Sequence, residues 1–202
     1  MFTGLIREFA TVISYADNML TLKAKHKPSL GDSIAVNGAC LTAMKLGNGT
    51  FSVELSRESR DNISGENLNG LVHIEPAMKM SDRLDGHIVQ GHVDGIATLS
   101  SITTNENATD MILEIPKQLM KFMIPKGSIT VDGVSLTINE VYDSSIRLTI
   151  IPHTMEKTLF ASYNSGRRVN IESDMFARYL YHMFKKDKNL SWDEVEHIMS
   201  LY

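Results

Sequence analysis

The chain has 202 residues, 43% of them hydrophobic, and its 20 Lys and Arg against 24 Asp and Glu give a formal net charge of −4. That balance offers no basic face for a nucleic-acid backbone, and the single cysteine, Cys40, excludes an intrachain disulfide and fits a reducing compartment. No apolar run approaches the ~18 residues of a membrane helix, and residues 1–8 lack the basic start of a secretory signal, so a cytoplasmic protein is expected.

Short strand patterns come first. Residues 11–13 and 19–22 are β-leaning around an Asp17-Asn18 turn. Pro28 and Gly31-Asp32 break the chain before a strand at 33–36. The motif VNGACLT follows at 36–42, in which an Asn-Gly turn signal sits between apolar residues and leads into a small nucleophilic side chain. A Gly47-Asn48-Gly49 turn opens into residues 51–55, which alternate apolar and polar as a half-buried strand does, and 71–75 is another strand. Many short strands at ~8–12-residue spacing predict a small closed barrel or sandwich.

Between the halves lies DGHIVQGHVDG at 85–95. Its histidines, His87 and His92, are five apart and would point to opposite faces of an extended strand, which argues against their chelating one metal. The second half then repeats the first. VDGVSLT at 131–137 repeats VNGACLT 95 residues on. Gly91-His92-Val93 lies over Gly4-Leu5-Ile6, Ser59 corresponds to Thr154, and Val72-His73-Ile74-Glu75 to Val169-Asn170-Ile171-Glu172. The offset drifts in polar loops such as 103–110, as a duplicated fold allows. Two domains follow, 1–86 and 87–174, with a tail at 175–202.

In the tail Met175, Phe176, Tyr179, Leu180, Met183 and Phe184 recur at helical spacing, predicting a helix of about three turns with one apolar face. A second helix is expected from Ser191, with a Ser191/Glu194 capping box, a Leu190–Val195 staple and Trp192 as packing. Such helices suit either oligomerisation or capping of a barrel within the chain.

MFTGLI, VNGACLT, SDRLDGHIVQGHVDG, KGSITVDGVSLT and IIPHTMEKT, in that order over roughly residues 1–186, resemble the riboflavin synthases of the two-domain, lumazine-binding type. The resemblance implies an all-β chain of two tandem six-stranded Greek-key barrels related by internal duplication, with C-terminal helices that build a homotrimer whose active sites lie between subunits. The implied reaction is a dismutation of two 6,7-dimethyl-8-ribityllumazine molecules. One gives a four-carbon unit to the other, yielding riboflavin and 5-amino-6-ribitylamino-uracil without metal, flavin or other cofactor. Lumazine synthase is the candidate protein partner. A non-catalytic lumazine- or flavin-binding antenna protein is the alternative from another class. The presence of both motif copies with Cys40, His92 and Ser135 favours the enzyme.

Carried over residue by residue, the resemblance makes Cys40 the candidate nucleophile or proton acceptor, although a lone cysteine is more often a small buried hydrophobe. His92 becomes a proton shuttle near neutrality, and Ser135 and Asp132 the second-domain reactive pair, with Asp132 a base, an orienter or simple turn chemistry. His87 is taken as structural. Ligand contacts are expected from Phe2, Thr3, Gly4, Leu5 and Ile6 at the N-terminus, with Phe2 reaching a neighbouring subunit's site. Further contacts are expected from Ser33, from Leu41 and Thr42, and from the strand end Glu54, Leu55, Ser56, Arg57, Glu58 and Ser59. The second half adds Val93, Asp94, Lys126, Leu136 and Thr137, then Ile151, Pro152, His153, Thr154, Met155 and Glu156, and finally Asp174. His153 stands where the family frequently has an acidic residue, which is expected to alter the pH dependence. Two homologous pockets would hold two copies of one substrate, and the exchange of Asn37 for Asp132 and of Cys40 for Ser135 would make them unequal.

Overall fold

Twelve strands in the described residues, 1–186 of this computed structural model, close into two six-stranded antiparallel barrels. The first contains β1 (Glu8–Ala16), β2 (Met19–Lys23), β3 (Ser33–Val36), β4 (Ala39–Leu46), β5 (Thr50–Glu54) and β6 (Leu71–Pro76), in the spatial order β1-β2-β5-β4-β3-β6. The second contains β7 (Gly95–Thr104), β8 (Thr109–Glu114), β9 (Ser128–Val131), β10 (Val134–Val141), β11 (Ser145–Ile150) and β12 (Arg168–Ser173). Its order repeats the first with six added to each strand number. The expected strands therefore fall inside real ones, except that β5 stops at Glu54, one residue short of the expected 51–55, and the Greek-key duplication is present.

The barrels close because their strands alternate. β2, β5 and β11 bury every second side chain, as a strand does with one face on a core and one on solvent. A bulge interrupts the ladder at Val12/Ser14 and at Ala43/Lys45, and again at the matching places Leu99/Ser101 and Ile138/Glu140. Bulges sharpen twist and bend, which a small barrel needs at its corners. Each barrel has its own apolar core, with Leu20, Leu22, Ile34, Phe51, Val53 and Ile74 fully or almost fully buried in the first. Leu99, Met111, Leu113, Ile129, Leu148 and Phe160 fill the second.

Two short helices cross the barrel ends, α1 (Arg57–Asn62) and α2 (Pro152–Lys157), and α3 (Met175–Lys186) follows the last strand. Ser56 caps α1 by accepting the Ser59 amide at 3.0 Å, and Pro152 opens α2 at its first position. The helix expected from Ser191 lies outside the described residues.

A pseudo-two-fold axis relates the barrels. It passes through the antiparallel bridge in which Phe2 and Val89 exchange both amide hydrogen bonds, at 2.8 and 3.1 Å. It also passes between two tight hairpins, Asn37-Gly38 and Asp132-Gly133, all four with positive φ. A Cβ on Gly38 would lie 2.7 Å from the Gly133 nitrogen, and one on Gly133 2.8 Å from the Gly38 nitrogen. Glycine is needed there because the two turns press backbone on backbone.

Candidate active site

The segment that leads into each barrel does not cover its own barrel. Residues 4–6 lie on the second barrel: the Ser135 amide donates to the Gly4 carbonyl at 2.8 Å, and Ile6 packs against the second core. Residues 91–93 lie on the first: the Cys40 amide donates to the Gly91 carbonyl at 2.8 Å, and Val93 packs against the first core. Both straps require glycine at the crossing. A Cβ at Gly4 would come within 2.6 Å of the Ser135 Cβ, and one at Gly91 within 2.6 Å of the Cys40 Cβ.

A buried carboxylate fastens each strap. Glu75 accepts the Thr3 amide and hydroxyl, both at 2.7 Å, and the Gly4 amide at 3.0 Å. Glu172 accepts the Gln90 and Gly91 amides, each at 2.8 Å. Burial pushes both carboxyls above their usual range, and the amide hydrogen bonds oppose it. Such charged acceptors hold a backbone more firmly than neutral ones.

Under each strap lies a pocket. The first-barrel pocket, ≈ 380 Å³, is lined by Ala39 and Cys40 from β4, Glu58, Ser59 and Asn62 from α1, Ile63 just beyond it, and Gly91, His92 and Val93 from the strap. The second-barrel pocket, ≈ 700 Å³, is lined by Val134 and Ser135 from β10, His153, Thr154, Glu156 and Lys157 from α2, and Thr158. Its strap supplies Gly4, Leu5 and Ile6, and Arg7, Glu8, Phe9 and Lys25 widen it. The structure thus brings Cys40, His92, Val93, Glu58 and Ser59 together in one pocket. It brings Ser135, Gly4, Leu5, Ile6, His153, Thr154 and Glu156 together in the other. Asn62, Lys157 and the Arg7–Lys25 group were missed by sequence reasoning, although the 95-residue repeat pairs Asn62 with Lys157.

Other expected site residues are elsewhere. Phe2 is fully buried in the seam with Ala35 and Val89 beside Cys40. A ring with no exposed surface does not reach a neighbouring subunit, so that expectation is corrected. Asp132 is also fully buried. Its carboxylate accepts the Asn170 amide at 2.8 Å and the Tyr163 hydroxyl at 2.6 Å, so it braces the hairpin instead of facing a pocket. Leu41 and Leu55 belong to the first core, and Met155 packs on the second. Thr3 is buried on Glu75. Asp94 holds the Ser173 amide and hydroxyl and forms an ion pair with Arg178 at 2.8 Å, and Asp174 accepts the Phe176 amide at the start of α3. Ser33 and Thr42 pair across β3 and β4, and Glu54 faces Met19 and Thr42 in the ladder. Ser56 and Arg57 begin α1, and Ile151 and Pro152 begin α2. Lys126 takes a positive φ in a turn, and Leu136 and Thr137 continue β10. None of these lines either pocket.

His87, taken as structural, has a closer tie to the site: its Nδ1 lies 2.7 Å from the Ser135 hydroxyl. Burial draws this imidazole down, opposed by Asp174. No local signal announces the contact, because its partner is 48 residues away. His87 and His92 thus serve different barrels.

The lumazine binding domain family matches this chain twice, at residues 3–77 and 90–174. The riboflavin synthase of Photobacterium leiognathi is 39% identical over 199 residues, covering 93% of this chain and 91% of that one. That of Bacillus subtilis (strain 168) is 39% identical over 198 residues, covering 92% and 91%. Among solved structures, LumP complexed with 6,7-dimethyl-8-(1'-D-ribityl) lumazine superposes with a TM-score of 0.74 at 21% identity, over 86% of this chain and 99% of that one. LumP complexed with riboflavin gives 0.76 at 22%, with the same coverage. At that identity the likeness speaks for the fold.

Proposed function

The chain belongs to the riboflavin synthase family, with two lumazine-binding domains in tandem, and from that premise we propose that it converts two molecules of 6,7-dimethyl-8-ribityllumazine into riboflavin and 5-amino-6-ribitylamino-uracil. The observation that carries the reading is the pair of pockets. They are built from matching residues of two repeats, yet one presents Cys40 and His92 where the other presents Ser135 and Leu5. A dismutation needs two sites alike enough to take the same molecule and different enough to give it two roles.

The two ring systems would be held so that one ligand donates its four-carbon unit and the other receives it. Holding them in register makes a bimolecular step effectively unimolecular, worth up to about 7–11 kcal/mol of barrier. Proton transfers to and from the ring methyl groups by positioned side chains add roughly 10²–10⁴-fold. Cys40 and His92 line the first pocket and are the groups we assign to that work. The ribityl hydroxyls find partners in Ser59, Asn62 and Thr154.

Within one chain the two pockets share no lining residue. We place the working site between subunits of a homotrimer assembled through α3. Phe176, Tyr179, Leu180, Met183 and Phe184 form a stripe on that helix, each 50% exposed or more. Such a stripe marks an interface in waiting. The helix is tied to its own chain through other residues: Arg178 pairs with Asp94 and donates to Gln90, and Tyr181 lies edge-on to Phe122. A cytoplasmic setting and an association with lumazine synthase complete the reading, and no helix among the described residues is long and apolar enough to cross a membrane.

Chelator-treated protein incubated with 6,7-dimethyl-8-ribityllumazine tests this, with riboflavin followed by absorbance and fluorescence. One riboflavin per two lumazines is expected. Tight fluorescent binding without turnover would make the protein a carrier, and absence of binding would sink the reading.

A further inference from the structure

The two pockets correspond wall by wall, and the correspondence exposes an exchange. In the first pocket the strap carries an imidazole, His92, and the helix a carboxylate, Glu58. In the second the strap carries Leu5 at the matching place, and the helix carries an imidazole, His153, where the carboxylate would be. Each pocket therefore has one lining imidazole, delivered from a different wall. We infer that His153 is the proton carrier of the second pocket, taking there the part that the strap histidine takes in the first. This inference rests on the proposed dismutation.

The alternatives within that pocket are already engaged. Glu156 holds Lys157 at 2.9 Å, and that hydrogen bond keeps its carboxyl below the usual range. The Glu8 carboxylate accepts the backbone amides of Lys25 and His26. Ser135 is tied to His87. The His153 side chain is exposed and makes no hydrogen bond among the described residues, so both ring nitrogens can meet a ligand.

The charges that face it are Arg7, Glu8 and Lys25 from the N-terminal side and Glu156 and Lys157 from its own helix. Cations outnumber carboxylates there, whereas the first pocket's charged lining residue is Glu58. Nearby cations favour the anion that proton removal leaves on the ligand. The step is a plain transfer. The neutral ring takes a proton from a lumazine methyl group, the electron pair of that C–H bond stays on the heterocycle, and the imidazolium later returns the proton to a product.

His153→Gln and His153→Glu in the full chain, beside wild type, test the assignment. Both sit on an exposed position and leave the barrel cores untouched. For His153→Gln we expect kcat to fall by about 10²-fold or more with KM changed only a few-fold. For His153→Glu we expect turnover to return, with the acid limb of the pH–rate profile lowered by roughly two pH units, the gap between imidazole and carboxyl. An unaltered kcat and pH profile in His153→Gln, or a change in KM alone, would overturn it. Exchange of ligand methyl protons for deuterium, followed by NMR, separates this from the wider reading. If wild type makes no riboflavin the dismutation fails, while faster methyl exchange with wild type than with His153→Gln still supports the proton carrier. Equal exchange in both proteins removes it.

Discussion

His73 of the first barrel donates through Nδ1 to the carbonyl oxygen of Asp132 in the second, 2.9 Å away. Its Nε2 accepts the Leu159 amide at 2.7 Å, which fixes the neutral tautomer. Burial lowers this imidazole from 6.5 to about 4, and burial raises the Asp132 carboxyl from 3.8 to about 6. The two act in opposite senses. As pH falls from 6.5 toward 4 the unfolded chain protonates the histidine while the folded chain does not, so stability is lost. Between about 6 and 3.8 the folded carboxyl holds a proton that the unfolded one lacks, so stability is regained. Near pH 5 they offset.

Asp132→Asn should unmask the histidine. Between pH 6 and pH 4.5 the variant is expected to lose stability more steeply than wild type, by up to about 1.4 kcal/mol per pH unit. Denaturant titrations of both proteins across that range check this, and parallel pH dependences would contradict it.

Gly38→Ala and Gly133→Ala should each cost far more than the left-handed backbone alone, which is about 1–2 kcal/mol. The added methyl would meet the opposing turn's nitrogen at 2.7 or 2.8 Å, and that atom is backbone with nowhere to move. Gly49→Ala is the control: its φ is +72°, but nothing lies within 4 Å. Similar midpoints for Gly38→Ala and Gly49→Ala would remove the seam from the account.

Glu172→Gln should loosen the strap over the first pocket and Glu75→Gln the strap over the second. A glutamine offers one acceptor oxygen and turns an NH₂ toward the second amide, so one charge-assisted bond is replaced by donor facing donor. Amide hydrogen exchange at Gln90 and Gly91, or at Thr3 and Gly4, is expected to quicken by roughly 10-fold or more, as a loss of about 1.5–3 kcal/mol requires. Exchange that quickens equally throughout the barrels would point to global destabilisation instead.

Cys40→Ala and His92→Ala are expected to slow turnover by about 10²-fold or more while weakening ligand binding much less. Fluorescence titration beside steady-state rates separates the two. Unchanged rates in both variants would take these residues off the catalytic list.

Replacing Phe176 and Leu180 together by Glu should disrupt the proposed trimer and depress activity, because both side chains lie on the exposed stripe of α3, 58% and 50% exposed. Light scattering coupled to gel filtration reads the mass. A variant of unchanged mass would free that face from the assembly.

Much of this was legible in the sequence. The 95-residue repeat of VNGACLT by VDGVSLT announced two like barrels, and the alternation at 51–55 gave a half-buried strand that is there as β5. Helical spacing from Met175 to Phe184 likewise marked α3. What was not legible is whatever depends on one barrel touching the other. Strand logic would turn every second residue of β6 outward, yet Val72, His73, Ile74 and Glu75 are all buried, because the outer face is pressed into the seam. Within the second barrel, too, Asp132 reads as turn chemistry, and its distant partners, the Tyr163 hydroxyl and the Asn170 amide, are what make the carboxylate a brace. The crossing of the straps has no periodicity to betray it: Gly4 meets Ser135 across more than half the chain.

That crossing has a bearing on ancestry. A half-chain carrying one repeat would own a strap that fits only another copy's barrel, so it could finish itself only by trading straps with a twin, and its folding would depend on concentration. Two such genes joined end to end remove that dependence, since each half then carries its complement with it. The fusion also frees the halves from identity. A pair of identical chains must keep the same residue at both equivalent places, whereas a fused pair can hold Leu5 opposite His92 and His153 opposite Glu58, and so turn a symmetrical container into one with two unequal rooms.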